Sequence, residues 1–307
     1  MSRVLFLFLD GVGIGPGDPA RNPFLGARLP CLRSILGGRL PVFRTRSDAR
    51  VSSAPIPLDA RLETEGTPRS GTGQVSVLTG RNAALLFGGH FGPWTPVRLR
   101  PLLAQENLFV QARRRGLSVR FANAYPERYL ERVPSRRVAG PTLAADAAGL
   151  LVRHHRELER GEAVATGIVN RGWRKELGFS EVPEVSPEEA GRNLARLAGG
   201  GHLTFFAHYG TDHAGHRGGW DGAVAALEQV DRFLGGILDA LPPDVTLLVA
   251  SDHGNIEDVE SGHTRNPALG LAVGPGADEL CTELRSITDV APAILRFLPD
   301  PAPKPAS

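Results

Sequence analysis

The chain has 307 residues, 41% of them hydrophobic, enough to bury a large core as one α/β domain or as one domain with a modest insertion. Its 35 basic residues nearly balance 33 acidic ones, and a formal charge of +2 excludes a general pull toward nucleic acid or an anionic membrane, leaving small molecules as the expected partners. The cysteines, Cys31 and Cys281, are too few and too far apart for a disulfide framework or a thiolate zinc site, so a reducing cytoplasm is the expected compartment.

The opening apolar run, residues 3–9, is cut off by Asp10. It is too short for a signal sequence or a membrane span and reads as a buried first strand that delivers one carboxylate into the turn Asp10-Gly11-Val12-Gly13-Ile14-Gly15. The glycine spacing does not match Gly-x-Gly-x-x-Gly, so the turn does not indicate a dinucleotide. Residues 16–60 are rich in Pro, Arg and Gly and read as irregular, with one short helix over 30–36. Ser70-Gly71-Thr72-Gly73, followed by apolar residues, reads as a loop entering a helix whose free N–H groups can hold an anion or an ionised hydroxyl. An ordinary Ser or Thr N-cap is the alternative reading of that tetrapeptide.

Farther along, the pattern predicts a helix over 101–114, a strand over 117–122 and a helix over 142–159 with apolar spacing at Leu143, Ala147, Leu150 and Leu151. His154 and His155 lie in that polar helical stretch and read as solvated. Ser186-Pro187-Glu188-Glu189 reads as a capping box with proline in the first turn. A strand over 203–207 then delivers His208 and the pair Asp212 and His216, whose i, i+4 spacing allows both side chains to share one helix face, as joint metal ligation requires. After a helix over 221–241, the apolar run 245–250 ends in Ser251-Asp252-His253-Gly254-Asn255, with His263 behind it as a further potential ligand. Polar residues at the carboxyl ends of strands in an open α/β sheet lie where loops part to form a crevice. A last helix over 286–297 precedes a tail, 299–307, expected to be disordered.

Leu-Asp-Gly-Val-Gly-Ile-Gly, the Ser70 loop closing in Thr79-Gly80-Arg81, Asp212-x-x-x-His216, Ser-Asp-His-Gly-Asn and His-Thr-Arg-Asn-Pro follow one another along the chain. In that order they resemble the alkaline phosphatase superfamily, in the branch that holds cofactor-independent phosphoglycerate mutase and phosphopentomutase. The resemblance implies a three-layer α/β/α fold with a mostly parallel sheet, expected here as a single domain over 1–298 with a small embellishment within 85–200. It also implies two divalent metal sites, one from Asp212, His216 and His263, the other from Asp10, Asp252 and His253 with the nucleophile hydroxyl. Aligning the closing Gly-Arg without a gap brings Ser70 onto the family's serine, with Thr72 as the runner-up.

Two dications about 4 Å apart can hold the attacking and leaving oxygens of an in-line phosphoryl transfer. Mixed carboxylate and imidazole ligation suits Mn²⁺ or Zn²⁺. Arg81, His90, Asn123, Tyr125, His208 and Arg265, near expected strand ends or motifs, are candidates for contacts to the phosphate or its leaving group. The sequence departs from the mutases in having a short interval between Arg81 and Asp212 where independent phosphoglycerate mutases insert a closing domain, and in Gln74 standing where their motif has His. Phosphopentomutase has a smaller cap, but its Asp-to-His spacing is one residue longer than that of Asp212 and His216. A mutase must retain its product under a lid, so hydrolysis of a small phosphate mono- or diester is ranked first, a phosphomutase second and a non-catalytic metal-binding protein third.

Overall fold

The computed structural model describes residues 2–43, 55–134 and 137–300, so most of the expected tail, 301–307, lies outside the described residues. The amino-terminal half contains β1 (Arg3–Leu9), β2 (Gly15–Pro16), α1 (Pro30–Ile35), β3 (Val42–Phe43), β4 (Ile56–Leu58), α2 (Ser70–Thr79), α3 (Ala83–Phe87), α4 (Arg100–Glu106), α5 (Leu108–Arg114) and β5 (Val119–Phe121). There follow α6 (Tyr129–Arg132), α7 (Gly140–Ala147), α8 (His155–Glu159), α9 (Arg171–Lys175), α10 (Pro187–Ala198), β6 (Leu203–His208) and α11 (Gly210–Arg217). The chain then forms α12 (Gly219–Ala240), β7 (Val245–Ala250), β8 (Ala268–Val273), α13 (Ala277–Glu283) and α14 (Val290–Phe297).

The main sheet has the order β4-β8-β7-β1-β6-β5. Strands β7, β1, β6 and β5 run parallel, β8 is reversed against β7, and β4 pairs antiparallel with β8. Central β1 is apolar on both faces because helices cover both. Its alternation divides the core: Val4, Phe6 and Phe8 join residues of α2, α5, α7 and α14, while Leu5, Leu7 and Leu9 join residues of α1, α10 and α12. This is the mostly parallel, helix-flanked α/β sheet expected from the sequence. A small satellite cluster of Leu158, Ala163, Trp173 and Val182 forms within the interval 85–200. Among the described residues no helix is long and apolar enough to cross a membrane.

Local chemistry corrects several expected elements. The helix over 101–114 is two helices, because the Asn107 amide donates to Leu103 O while its oxygen accepts from Phe109 N and Val110 N, closing one helix and capping the next. The helix over 142–159 ends at Ala147: Gly149 adopts φ +65° and Leu150 N donates back to Ala145 O, a Schellman-type stop that apolar spacing does not reveal. His154 and His155 correspondingly fall at the start of α8, where the His154 ring bonds Tyr125 O and the His155 ring stacks on Phe179. The box at Ser186 is half formed, since Ser186 Oγ accepts from Glu189 N but the Glu189 carboxylate turns to Arg192 and Arg196. Strand β8 escapes the sequence reading because Ala268–Val273 is rich in Ala and Gly, with little of the β-branched signal that marks strands.

Candidate metal centre

The expected ligands converge at the carboxyl edge of the sheet, where β1, β6 and β7 end side by side. Asp10 follows β1 directly; its N–H donates to His208 O at the end of β6 and its carbonyl accepts from Thr211 Oγ1. Asp212 and His216 lie one turn apart on α11, with His216 Nε2 3.5 Å from Asp212 Oδ1. Asp252 and His253 follow β7, and the loop behind them brings His263 Nε2 to 3.6 Å from the same Asp212 oxygen. His213, on the same helix, is exposed.

Helix α2 places the hydroxyls. Ser70 Oγ is 2.9 Å from His253 Nε2, whereas Thr72 Oγ1 accepts from Phe91 N and faces the loop after α3. The glycine after each serves close packing: a Cβ at Gly71 would strike the carbonyls of Phe91 and Trp94, and one at Gly73 would come within 3.1 Å of Asp252. The N–H of Thr72 is also taken by Phe91 O, so the amino end of α2 is braced as well as open.

Two groups of side chains are close enough to hold a cation, Asp212 with His216 and His263, and Asp10 with Asp212 and His253. This differs from the expected partition in two respects: Asp212 stands between the groups, with Oδ1 4.0 Å from His253 Nε2 as well as near His263, and it takes the place expected for Asp252 in the second group. Asp252 Oδ2 lies 3.7 Å from His253 Nε2 at the edge of the second group. Two buried carboxylate oxygens, Asp10 Oδ1 and Asp252 Oδ2, have no hydrogen-bond partner. Orphaned anionic oxygens at this depth are costly unless a cation meets them, so the donor set fits divalent ions.

The imidazoles of His263 and His253 differ in protonation. Pro68 O accepts from His263 Nδ1 at 2.9 Å, and a carbonyl can only accept, so Nε2 carries the lone pair that faces Asp212. Burial, reinforced by the His253 charge, pushes the His263 pKa down to about 4 and keeps that ring neutral. Burial also opposes charge on His253, but the carboxylates of Asp252, Asp10 and Asp212 outweigh it and push this pKa up to about 10. Burial raises the Asp10 and Asp252 carboxyls above the usual range. The protein alone therefore shares protons among crowded acids, and a bound dication would displace them.

The expected substrate contacts divide. Arg81 lies beyond the carboxyl end of α2, the opposite end from Ser70, and pairs with Glu106, so the structure does not bring it to the centre. Asn123 spends its amide on the backbone of Ala207, bracing β5 against β6. The Tyr125 hydroxyl bonds Thr142 inside the core, and buried His208 directs Nδ1 to Thr166 O. His90 and Arg265 flank the loop before α2: Arg265 Nε donates to Gly66 O, and Arg265 is exposed two residues after His263. Sequence reasoning missed three supports. Gln74 donates to Asp10 Oδ2 while accepting from Gly140 N, Asn255 Nδ2 donates to Asp212 Oδ1, and buried Glu257 lies beneath the loops. Gln74 is visible in the sequence only as a departure from a motif, Asn255 only as the last residue of one, and Glu257 only as a neighbour two positions beyond it.

Residues 182–299 match the model of the metalloenzyme superfamily. The 2,3-bisphosphoglycerate-independent phosphoglycerate mutase of Cereibacter sphaeroides is 33% identical over 133 residues, covering 40% of this chain and 26% of that protein. The enzyme of the same name from Wolinella succinogenes is 29% identical over 190 residues, covering 53% and 38%. The chain thus spans between about a quarter and two-fifths of these relatives' length. Among solved structures, the PH0037 protein from Pyrococcus horikoshii superposes with a TM-score of 0.57 at 13% identity over 96% of both chains. A cold-active alkaline phosphatase from a psychrophilic Shewanella sp. superposes with a TM-score of 0.51 at 13% identity over 97% of this chain and 100% of that one. Residues 182–299 are thus similar to the metalloenzyme superfamily, and the chain has an alkaline phosphatase-like fold and partial similarity to the phosphoglycerate mutases that work without 2,3-bisphosphoglycerate.

Proposed function

We propose that the protein is a two-metal phosphoryl-transfer enzyme that hydrolyses a small phosphate mono- or diester through a phosphoserine at Ser70. The observation that carries this reading is the 2.9 Å approach of a buried serine hydroxyl to His253 among three carboxylates. Asp212, His216 and His263 would hold one ion, and Asp10, Asp252 and His253 the other, with Asp212 near both. Mn²⁺ or Zn²⁺ suits this set of oxygens and imidazoles. When bound, the ions supply neutralisation of phosphoryl charge and acidification of a hydroxyl.

Ser70 Oγ forms a bond to phosphorus as the ester P–O bond opposite it breaks, and the departing oxygen takes up a proton. Water then attacks phosphorus, the Ser70 Oγ–P bond breaks, inorganic phosphate leaves (from a diester, the remaining monoester) and the hydroxyl regains its proton. Gln74 fixes Asp10, and the carbonyl of Pro68 fixes the His263 ring, so both hold position through the cycle. Arg265, exposed two residues after His263, is a candidate to meet a phosphate oxygen.

The test is phosphate or phenol release from an aryl phosphate monoester and the matching diester by Mn²⁺- and Zn²⁺-loaded protein, with Ser70→Ala alongside. Turnover by the wild type with loss of at least a thousandfold in the variant is expected. Partial identity to phosphoglycerate mutases favours a second reading, phosphoryl transfer back to a hydroxyl of the substrate. Isomerisation of a phosphoglycerate or phosphopentose faster than phosphate release would select that reading over hydrolysis.

A further inference from the structure

The glycine-rich turn after β1 does not have the spacing of a dinucleotide fingerprint, and its glycines have another physical cause. A Cβ at Gly13 or Gly15 would collide with the side chain of Glu257, and so would one at Gly254, after His253. Three side-chain-free positions thus make a cradle for one carboxylate, which is fully buried. No ion pair to it is found among the described residues; its charge is met by hydrogen-bond donors.

Those donors come from the turn after β1 and from both ends of the connection between β7 and β8. Glu257 Oε2 accepts from Gly13 N at 2.9 Å and from Asn255 N at 2.8 Å. Oε1 accepts from Thr264 Oγ1 and, at 3.0 Å, from Asn266 Nδ2. Gly13 lies on the turn that begins at Asp10, and Thr264 directly follows His263. Asn255, held by its backbone, passes the constraint on through Nδ2 to Asp212 Oδ1 at 2.6 Å.

We infer that Glu257 is a positioning residue that sets the separation of the two ligand groups, by tying the loops of Asp10, of Asp252 and His253, and of His263 to one buried carboxylate. The inference rests on the reading of this site as a metal centre. In these contacts every partner donates, and the backbone N–H groups of Gly13 and Asn255 can do nothing else, so Oε2 has to be an acceptor. In Glu257→Gln the NH₂ replaces Oε1, and Thr264 and Asn266 must turn to accept from it, which disturbs the loop that carries His263.

The experiment is calorimetric titration of Mn²⁺ into the metal-stripped full chain, with the visible spectrum of the Co²⁺-loaded protein as a report on ligand geometry. Wild type is expected to take up two ions. Glu257→Gln is expected to bind both about ten- to a hundredfold more weakly, the range usual for outer partners of metal ligands, with shifted Co²⁺ bands and an unchanged far-UV circular dichroism spectrum. Wild-type affinity and an unshifted cobalt spectrum in Glu257→Gln would overturn the inference. Should that variant fail to fold, Thr264→Val and Asn266→Ala each remove one donor and leave the carboxylate in place. They are expected to weaken uptake of one ion, and wild-type binding and spectra in both would equally overturn it. A wild-type chain that takes up neither Mn²⁺ nor Co²⁺ would instead sink the metal-centre reading itself, a result distinct from equal binding by wild type and variant.

Discussion

Ser70 and Thr72 are two positions apart in one helical turn, and the side each faces separates their roles. Thr72 Oγ1 is buried and is the acceptor for Phe91 N, so Thr72→Val strands that donor and should cost about 1–3 kcal/mol of stability, read from the urea midpoint, while turnover per folded molecule persists. His208 offers a second test at this scale. Burial, partly offset by the bond to Thr166 O, pushes its pKa from 6.5 down to about 4. The unfolded chain therefore binds a proton that the fold refuses between those values, and stability is lost as pH falls from about 6.5 toward 4. The full swing is about 3 kcal/mol, so His208→Asn should flatten the stability difference between pH 7.5 and pH 4.5 relative to wild type by an amount of that order.

At the scale of elements, the packing of α10 on α12 is closest at two glycines. A Cβ on Gly191 would meet the backbone at Phe233, and one on Gly236 would meet the backbone at Glu188. Backbone cannot rotate away as a side chain can, so the helices must separate to admit either methyl. Gly236→Ala should destabilise the fold by about 1–3 kcal/mol, despite the better helix propensity of alanine, and a chemical denaturation curve measures it. Helix α10 itself was legible from Ser186 and Pro187, because an N-cap is a local device. The breaks at Asn107 and Gly149 were not, because apolar residues such as Leu150 stay buried after the helix has ended and so preserve the helical spacing.

Across the whole molecule, the apolar clusters on the two faces of the sheet are separate from the expected ligands, which crown one edge. Chelation should therefore abolish turnover while leaving the far-UV circular dichroism spectrum intact. It should also lower the melting temperature, since ions held at a hundredfold over their dissociation constant contribute about 2.7 kcal/mol per site. Loss of secondary structure on chelation would show instead that the ions brace the fold.

The sequence by itself determined the parallel core strands, the order of the ligand motifs and the pairing of Asp212 with His216. Each is written in a short stretch: a continuous apolar run, an acid at its end, or a spacing of one helical turn. Only the tertiary structure decided that Asp212 stands between both ligand groups, that Ser70 rather than Thr72 faces His253, and that Arg81 is carried away along α2. It also decided that glycines of the first turn exist to admit Glu257. These outcomes depend on how β1, β6 and β7 align their ends, so that groups more than 200 positions apart come within hydrogen-bond range, as the Gly13 N–H and the Glu257 carboxylate do.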